Sequence, residues 1–502
     1  MTRRFRAQDG RAGEEGIAMI VALFMVLLLS AIGSSMMFVS RTETLSSFNY
    51  KTLSQARYAA ESAVQSASNH LLYTYAAPST AGADPIGAYD MTTSPVRVGG
   101  AAVVLSSDPD VASNYPVAAV RTAFLNSTAG TLTTGVGTIR YVAVATLVSM
   151  RQITDGVTGN PVTLQTWEIT GRGIQALGAA DARIEVSSIL ERQEAPVFRY
   201  AAFAQDSGCE ALMFGGGATT DSYDSRNALV GGVPVFSASG GNVGTNGNLT
   251  ELGSSTTIHG TLSTPRTGVG TCSDSNVTAL TLSGTPKLDG GVVQLPQAIT
   301  WPTPAAPSPA PPTTTAQFTQ KSGCAGGLAA PICVANAGVG ATLTPASGTP
   351  VVLGDLKVTG GATLTLNAGT YIVNSLSFQG NSDIKLGSGP VVFQVAGSGS
   401  VNTPIDFTGG SITNPTFQPD QFRLVYGGNK AIKLTGGAQS AALVYAPNAS
   451  ASFGGLNDFF GSVIANKVTD MGGASIHYDR ALQVNAMIAG NPTMSGFTWR
   501  SF

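Results

Sequence analysis

The apolar positions of this 502-residue chain follow three different rhythms. From residue 17 to residue 39 there is no charge and no proline. Twenty-three residues at 1.5 Å each make a helix of about 35 Å, enough to cross a hydrocarbon core of about 30 Å. Arg3, Arg4, Arg6 and Arg11 precede the run and the next charge after it is Arg41. That asymmetry predicts a single pass with the short N-terminal end in the cytoplasm and the remainder exported. Helical spacing then continues through Leu45, Phe48, Leu53, Ala56, Ala60, Val64, Ala67 and Leu71, and Pro78 ends it. One helix over 17–75 is expected, with Gly33-Ser34-Ser35 as its weak point.

The second rhythm has period two. Runs at 138–150, 164–174 and 182–190 alternate as one-face-buried strands. Asp155-Gly156 and Gly159-Asn160-Pro161 supply a turn between the first two, and residues 178–181 a turn between the second two. A long helix followed by an antiparallel meander is therefore expected up to residue 195.

The third rhythm is a repeat of 19–20 residues. Asp355-Leu356-Lys357-Val358 is echoed by Ser375-Leu376-Ser377-Phe378, and Thr363-Leu364-Thr365-Leu366 by Asp383-Ile384-Lys385-Leu386, both at a shift of 20. Tyr371-Ile372-Val373 is matched to Val391-Val392-Phe393, also at 20. Leu424-Val425-Tyr426 is matched to Leu443-Val444-Tyr445 and Ile432-Lys433-Leu434 to Ala451-Ser452-Phe453 at 19. Ser462-Val463-Ile464-Ala465 follows Ala442-Leu443-Val444-Tyr445 by 20. Three short strands per repeat with Gly/Asn corners describe one coil of a parallel β-solenoid, or β-helix, that buries its apolar side only by stacking. An antiparallel sandwich of short strands is the competing arrangement. Residues 296–316 hold seven prolines in 296–312 and read as a solvated linker or long excursion rather than core.

Two stretches resemble known families. The basic leader ending in Gly16, followed at once by Ile17-Ala18-Met19-Ile20-Val21-Ala22-Leu23, resembles a type IV prepilin signal. With Ser40-Arg41-Thr42 and Ala56-Arg57-Tyr58-Ala59-Ala60-Glu61-Ser62-Ala63 it is similar to the N-terminus of PilX-type minor pilins. The resemblance implies cleavage by prepilin peptidase between Gly16 and Ile17, and packing against other pilins through the helix. It also implies a departure: the fifth mature residue, a glutamate in most major pilins, is Val21. A subunit without that carboxylate is expected at the start or tip of a filament rather than in its shaft. The competing readings of the run are a secretory signal cut near Ala31 and Gly33, and an uncleaved anchor. Further on, residues 442–449, 460–465 and 476–479, together with Asp221-Ser222-Tyr223-Asp224-Ser225, resemble an uncharacterised β-solenoid module found behind PilX-type N-termini. That module implies architecture, not chemistry.

Composition narrows the picture. Only 11% of residues are charged, against roughly 25% in ordinary soluble domains, and there are 61 glycines. Such a surface of Ser, Thr, Asn and Gly suits an exported β-rich protein. Net charge is −2, and removing the leader takes four arginines and three acids to leave −3. Nothing predicts an electrostatic hold on nucleic acid. Cys209, Cys272, Cys324 and Cys333 make an even count in an exported chain, which favours disulfides over metal. Cys324 and Cys333 are near enough to pin one loop and Cys209–Cys272 remains, although four cysteines allow three connectivities.

Catalytic signals are weak. A polysaccharide lyase on a parallel β-helix needs several acids around calcium and a base. Here Asp355, Asp383, Asp406, Asp420, Asp458, Asp470 and Asp479 come singly. Asp221 with Asp224 reads as a self-capping turn and His477-Tyr478-Asp479 as a structural strand end. His70, His259 and His477 are isolated in sequence. Thr363 and Thr365 give way to Asp383 and Lys385, so no threonine ladder runs on.

The expected organisation is a prepilin leader (1–16), a transmembrane and extended pilin helix (17–75), a pilin-like sheet region (76–195), a first part of the solenoid (196–295), a Pro-rich and Cys-containing excursion (296–334) and the solenoid's main body (335–495). The fold class is α+β pilin-like, a long N-terminal helix packed on antiparallel sheet, followed by mainly-β parallel β-solenoid. The expected role is structural, in pilus priming, tip formation or adhesion, without catalysis, cofactor or metal. The precursor is expected in the inner membrane and the mature chain on the pilus or cell surface, where a glycan or host protein is a candidate partner. The alternative is a membrane-anchored or secreted β-helix that binds or degrades polysaccharide.

Overall fold

A computed structural model describes residues 14–79, 83–134, 137–176, 181–435, 439–455 and 457–501. Most of the expected leader lies outside the described residues. The chain divides into two units: Met1–Arg151 with Thr163–Gln193 and Asn491–Phe502, and Gln152–Val162 with Glu194–Gly490.

In the first unit a helix runs unbroken from Glu14 to Tyr73, through Gly33. Its second half buries Ala56, Ala59, Ala60, Ala63, Val64, Ala67 and Leu71 against a sheet. The alanines have a mechanical purpose that is visible on the strand beneath them. A Cβ added at Gly173 would collide with the carbonyl oxygen of Ala56, and one at Gly171 with that of Ala60. Helix backbone thus rests directly on strand backbone, which only glycine below and small residues above permit.

The sheet orders Val104–Ser106, Gly137–Thr154, Pro161–Ala176, Asp181–Pro196 and Met487–Ser501, with Gly130–Thr134 paired to Gly137–Thr154. The expected strands at 138–150, 164–174 and 182–190 sit inside the three central ones. Gly171 pairs with Val186 and Gly173 with Ile184 in antiparallel register. The C-terminal strand corrects the expected boundary of 335–495: residues 491–502 belong to the first unit, so most of the second is inserted between two strands of this sheet. That strand is largely exposed, so its apolar pattern carries little, and its pairing spans some three hundred residues. The turn at 152–162, expected within the sheet region, groups with the second unit.

The second unit is a stack of short parallel strands. Leu356 pairs with Leu376 and Leu364 with Ile384, at the expected shift of 20. Ile432 lies opposite Ala451 at the expected shift of 19, whereas three other matches differ from the expectation. Tyr371 lies opposite Phe393, a shift of 22; Leu424 lies opposite Val444, a shift of 20; Val444 lies opposite Val463, a shift of 19. For the two slips of one residue the physical reason is two-sided burial; the two extra residues between Tyr371 and Phe393 keep each side chain on its face. Thr363–Leu366 shows one buried and one half-buried face, whereas every residue of Phe422–Tyr426 is buried. Where both faces are apolar, the pattern no longer distinguishes a slip of one residue.

One register column shows how the stack is ordered. Tyr371, Phe393, Leu424, Val444, Val463, Ala202, Val243, Leu262 and Val292 follow one another across the hydrogen bonds. All but Val292 are buried, each large one contributing roughly 1.5–3 kcal/mol. Chain order is broken once in this column, between Val463 and Ala202. Along this column the chain therefore enters mid-stack, proceeds outward to residue 294, crosses to the opposite end and returns strand by strand.

The crossing is made by the Pro-rich segment, a long excursion outside the core as expected: residues 302–315 are exposed or half-buried, and the segment is tied down at a few points. Trp301 is buried and packs on Phe203 at 5.7 Å between ring centres. Tyr445 Oη donates to the carbonyl of Pro302 (2.7 Å), and the Asp355 amide to that of Thr314 (2.8 Å). Thr315–Phe318 then pairs in parallel with Asp355–Val358 as a terminal rung. Proline lacks an N–H, so each proline leaves the strap one donor fewer to satisfy, and Pro302 and Thr314 bond the stack through their carbonyls.

Candidate functional site

Two places combine unusual side-chain environments with the residues singled out from sequence. The first is the exposed half of the long helix. Within Ile17–Tyr73 it is long and apolar enough to cross a membrane, and none of its most apolar window is buried. Gly16 lies in the first turn. Ile17 and Val21 are 66% and 50% exposed, as are Leu23, Phe24, Leu27 and Leu28 to similar degrees. A continuous apolar face of this size asks for lipid or for other helices. Arg57 Nε donates to Glu61 Oε1 (2.9 Å), on the exposed side of the sheet-packed half.

The second is a histidine held inside the stack. His477 sits one rung from Phe460 and one rung from Asp221. Its Nδ1 lies 2.5 Å from Asp221 Oδ1, and its Nε2 lies 3.3 Å from Asp458 Oδ1 but is too poorly aligned for a hydrogen bond. Phe236 (4.3 Å) and Phe460 (4.8 Å) both pack against the ring and lie 6.0 Å from each other. Burial pulls its pKa down, but Asp221 and Asp458 more than offset that and hold it up at about 9. A charged imidazolium fixed between two carboxylates is a poor base near neutrality, so the arrangement is suited to holding strands and the 224–241 segment together.

Asp221 and Asp224 do not converge. Asp224 binds the Arg226 guanidinium (2.6 and 2.8 Å) and the Arg226 amide, as a self-capping turn does. The histidines that look isolated in sequence each have a partner: His259 Nδ1 meets Asp289 (2.6 Å) and His70 Nδ1 meets Ser127 (2.8 Å). Asp221 and His477 are 256 positions apart, so only the stack reveals that pair. Among the described residues no group of three or more His, Cys, Asp or Glu is placed to hold a metal ion.

Sequence reasoning missed a buried acid. Glu251 and Asp470 both lie opposite Phe214, on its two sides, and both are fully buried. Neither carboxylate oxygen of Glu251 has a hydrogen-bond partner among the described residues, and burial pushes its pKa up to about 7. Asp470 is pushed up to about 6 by burial, against bonds from the turn at 472–474. The signal was present: in Leu249-Thr250-Glu251, period two puts Glu251 on the same side as the buried Leu249.

All four cysteines are paired, Cys209 with Cys272 and Cys324 with Cys333. The first bond ties a turn near the point where the chain enters the stack to the 265–279 loop. The second closes the loop behind Thr315–Phe318, at the far end.

Residues 15–65 match the family model described as PilX N-terminal, and residues 401–485 match a domain of unknown function, DUF7305. No curated protein matches the chain. Among solved structures, the crystal structure of competence-associated pilin ComZ from Thermus thermophilus is similar over 74% of this chain and 86% of that one, at 13% identity. Its TM-score of 0.27 is too low to carry an argument. The N-terminal segment is thus similar to that of PilX-type pilins, and its apolar helix is consistent with a membrane-anchored pilus component.

Proposed function

We propose that this chain, with its PilX-type N-terminus, is a minor pilin-like structural protein that displays a β-solenoid. In this reading prepilin peptidase cuts after Gly16, and residues from Ile17 pack into a bundle of pilin helices. The observation that carries the proposal is the division of one continuous helix. Its first half exposes Ile17, Val21, Leu23 and their neighbours, while its second half is fixed to the sheet at Gly171 and Gly173. A rod held at one end and bare at the other is built to dock.

Val21 gives the position a direction. A carboxylate there would be costly in lipid unless paired, and a subunit with valine cannot offer one to its neighbour. Priming or tip placement follows. The parallel columns of the second unit support a solenoid in which successive rungs circle a shared apolar interior. Its Gly/Ser/Thr/Asn-rich exterior suits contact with a surface glycan or host protein, without catalysis.

Shear-isolated filaments test the assembly role. The chain is expected in that fraction, and Val21→Lys, which buries an unpaired charge, is expected to remove it while leaving membrane levels unchanged. Absence of the native chain from filaments would overturn the reading.

A further inference from the structure

The exposed apolar residues of the second unit are not spread evenly. Leu229, Val230, Val233, Val235 and Phe236 are 38–66% exposed and fall within one short segment. The other exposed large apolar residues of that unit are scattered from Val269 to Val484. Single exposed apolar side chains are ordinary, whereas a contiguous group marks a contact surface.

A hairpin presents this group. Ser222 and Ser237 exchange both backbone hydrogen bonds at its base (3.2 and 2.7 Å), and Val230 and Val233 do so at its tip (2.9 and 3.3 Å). Gly231 and Gly232 close the turn, both at positive φ, as a two-residue hairpin turn requires. A Cβ added to either would meet nothing within 4 Å, so the tip stands clear of the stack. Pro234, which is buried, and Phe236, whose ring stacks on His477, seat the returning strand.

The chemistry of the hairpin says what it meets. No charge occurs from residue 227 to residue 250. The tip pairs its own Val230 and Val233 backbone groups, and Pro234 has no N–H, so little of this backbone needs water. Pro234 also interrupts the edge along which a partner strand would pair. Charge lies instead at the feet: Arg226 precedes the hairpin and Arg480 lies beside Gly240, both exposed. Asp224 accepts from Nε and Nη2 of Arg226, which leaves Nη1 without a partner among the described residues. Arg480 makes no ion pair among them. The acids nearest the feet are already engaged, Asp224 by Arg226 and both Asp221 and Asp458 by His477. An apolar tip above a collar of arginines matches the layering of a phospholipid surface, phosphate outside and hydrocarbon within.

We propose that the hairpin at 226–240 is a lipid-binding tip, which inserts Leu229, Val230, Val233 and Val235 into a phospholipid bilayer while Arg226 and Arg480 meet its phosphates. The proposal stands on the hairpin alone and holds whether or not the chain enters a filament.

The test uses the full chain held by its N-terminal helix in a nanodisc. Vesicles of phosphatidylethanolamine and phosphatidylglycerol are added, and both bilayers carry brominated acyl chains. All four native cysteines are in disulfides, so Val233→Cys takes an environment-sensitive fluorophore at one site. Its emission is expected to shift to the blue and to be quenched by the bromines. A label at the exposed Lys321→Cys is expected to stay unshifted and unquenched. Val230→Asp with Val235→Asp, both at exposed positions, is expected to abolish the shift and the quenching while the stack keeps its exchange protection. Arg480→Gln is expected to weaken the quenching. Emission at 233 that stays as in water overturns the proposal. So does a blue shift without bromine quenching, which would mean that a second copy or another protein covers the hairpin. Quenching that survives the aspartate pair overturns it as well.

Discussion

The two units solve the same problem, burying enough apolar surface, in opposite ways. The first relies on one close approach: a helix lined with alanines lies on two glycines of a strand. The second relies on repetition: columns such as Leu356 and Leu376, or Tyr371 and Phe393, where each residue is buried by its neighbours one rung away. The close approach uses small side chains, so it has almost no tolerance for an added atom. The columns use large side chains, so they suffer mainly from atoms removed.

That contrast can be broken from either side. The largest effect is expected from Phe393→Ala, which empties a site between the rings of Tyr371 (5.4 Å) and Phe422 (5.8 Å). A loss of about 4 kcal/mol is expected, read by peptide-resolved hydrogen exchange as faster opening of the second unit. Gly173→Val adds bulk where the Ala56 carbonyl already sits and is expected to cost about 3 kcal/mol. Here exchange should accelerate in the sheet and the Ala56–Leu71 half of the helix. If Gly173→Val left the helix protected, the close approach would not be the first unit's anchor.

Acid–base titration sharpens the comparison, because the strongly shifted acid and histidine lie in the stack. Glu251, raised to about 7 in the folded chain, binds a proton there that the unfolded chain releases near 4.5. Stability is therefore greatest below 4.5 and falls as pH rises to 7. His477, raised to about 9, contributes stability that is complete below 6.5 and lost as pH rises through 9. Each limb is on the order of 3 kcal/mol at full extent. Urea midpoints against pH should show both, with Glu251→Gln removing the first and His477→Gln the second. The smallest effect is expected from Glu61→Gln in the first unit. Its pair with Arg57 is exposed and worth only a few tenths of a kcal/mol, so the thermal midpoint should hardly move.

How much of this was legible follows the same division. The long helix could be read from residues 17–71 because its spacing is regular and its ends are marked by arginines and Pro78. The matches of Asp355–Val358 to Ser375–Phe378 and of Thr363–Leu366 to Asp383–Leu386 could be read to the residue, since those strands bury one face more than the other. At 422–465 the match of Ile432 to Ala451 held, while those of Leu424 and Ala442 slipped by one, because Phe422–Tyr426 and Ala441–Pro447 are buried on both faces. The closing strand at Met487–Ser501 was hidden by its exposure and by its distant partner. Asp221 and His477 could not be joined from sequence, since nothing local links positions 256 apart. Glu251, by contrast, was overlooked although period-two counting places it inside.

The chemical identity of the mature N-terminus bears most directly on the central claim, that the bare half of the helix is kept for docking. Intact-mass analysis of the native protein, with fragmentation of the terminal peptide, reads it in one experiment. Assembly through the helix predicts a chain that begins at N-methylated Ile17. A chain beginning near Ser34, with the apolar run removed, would contradict it.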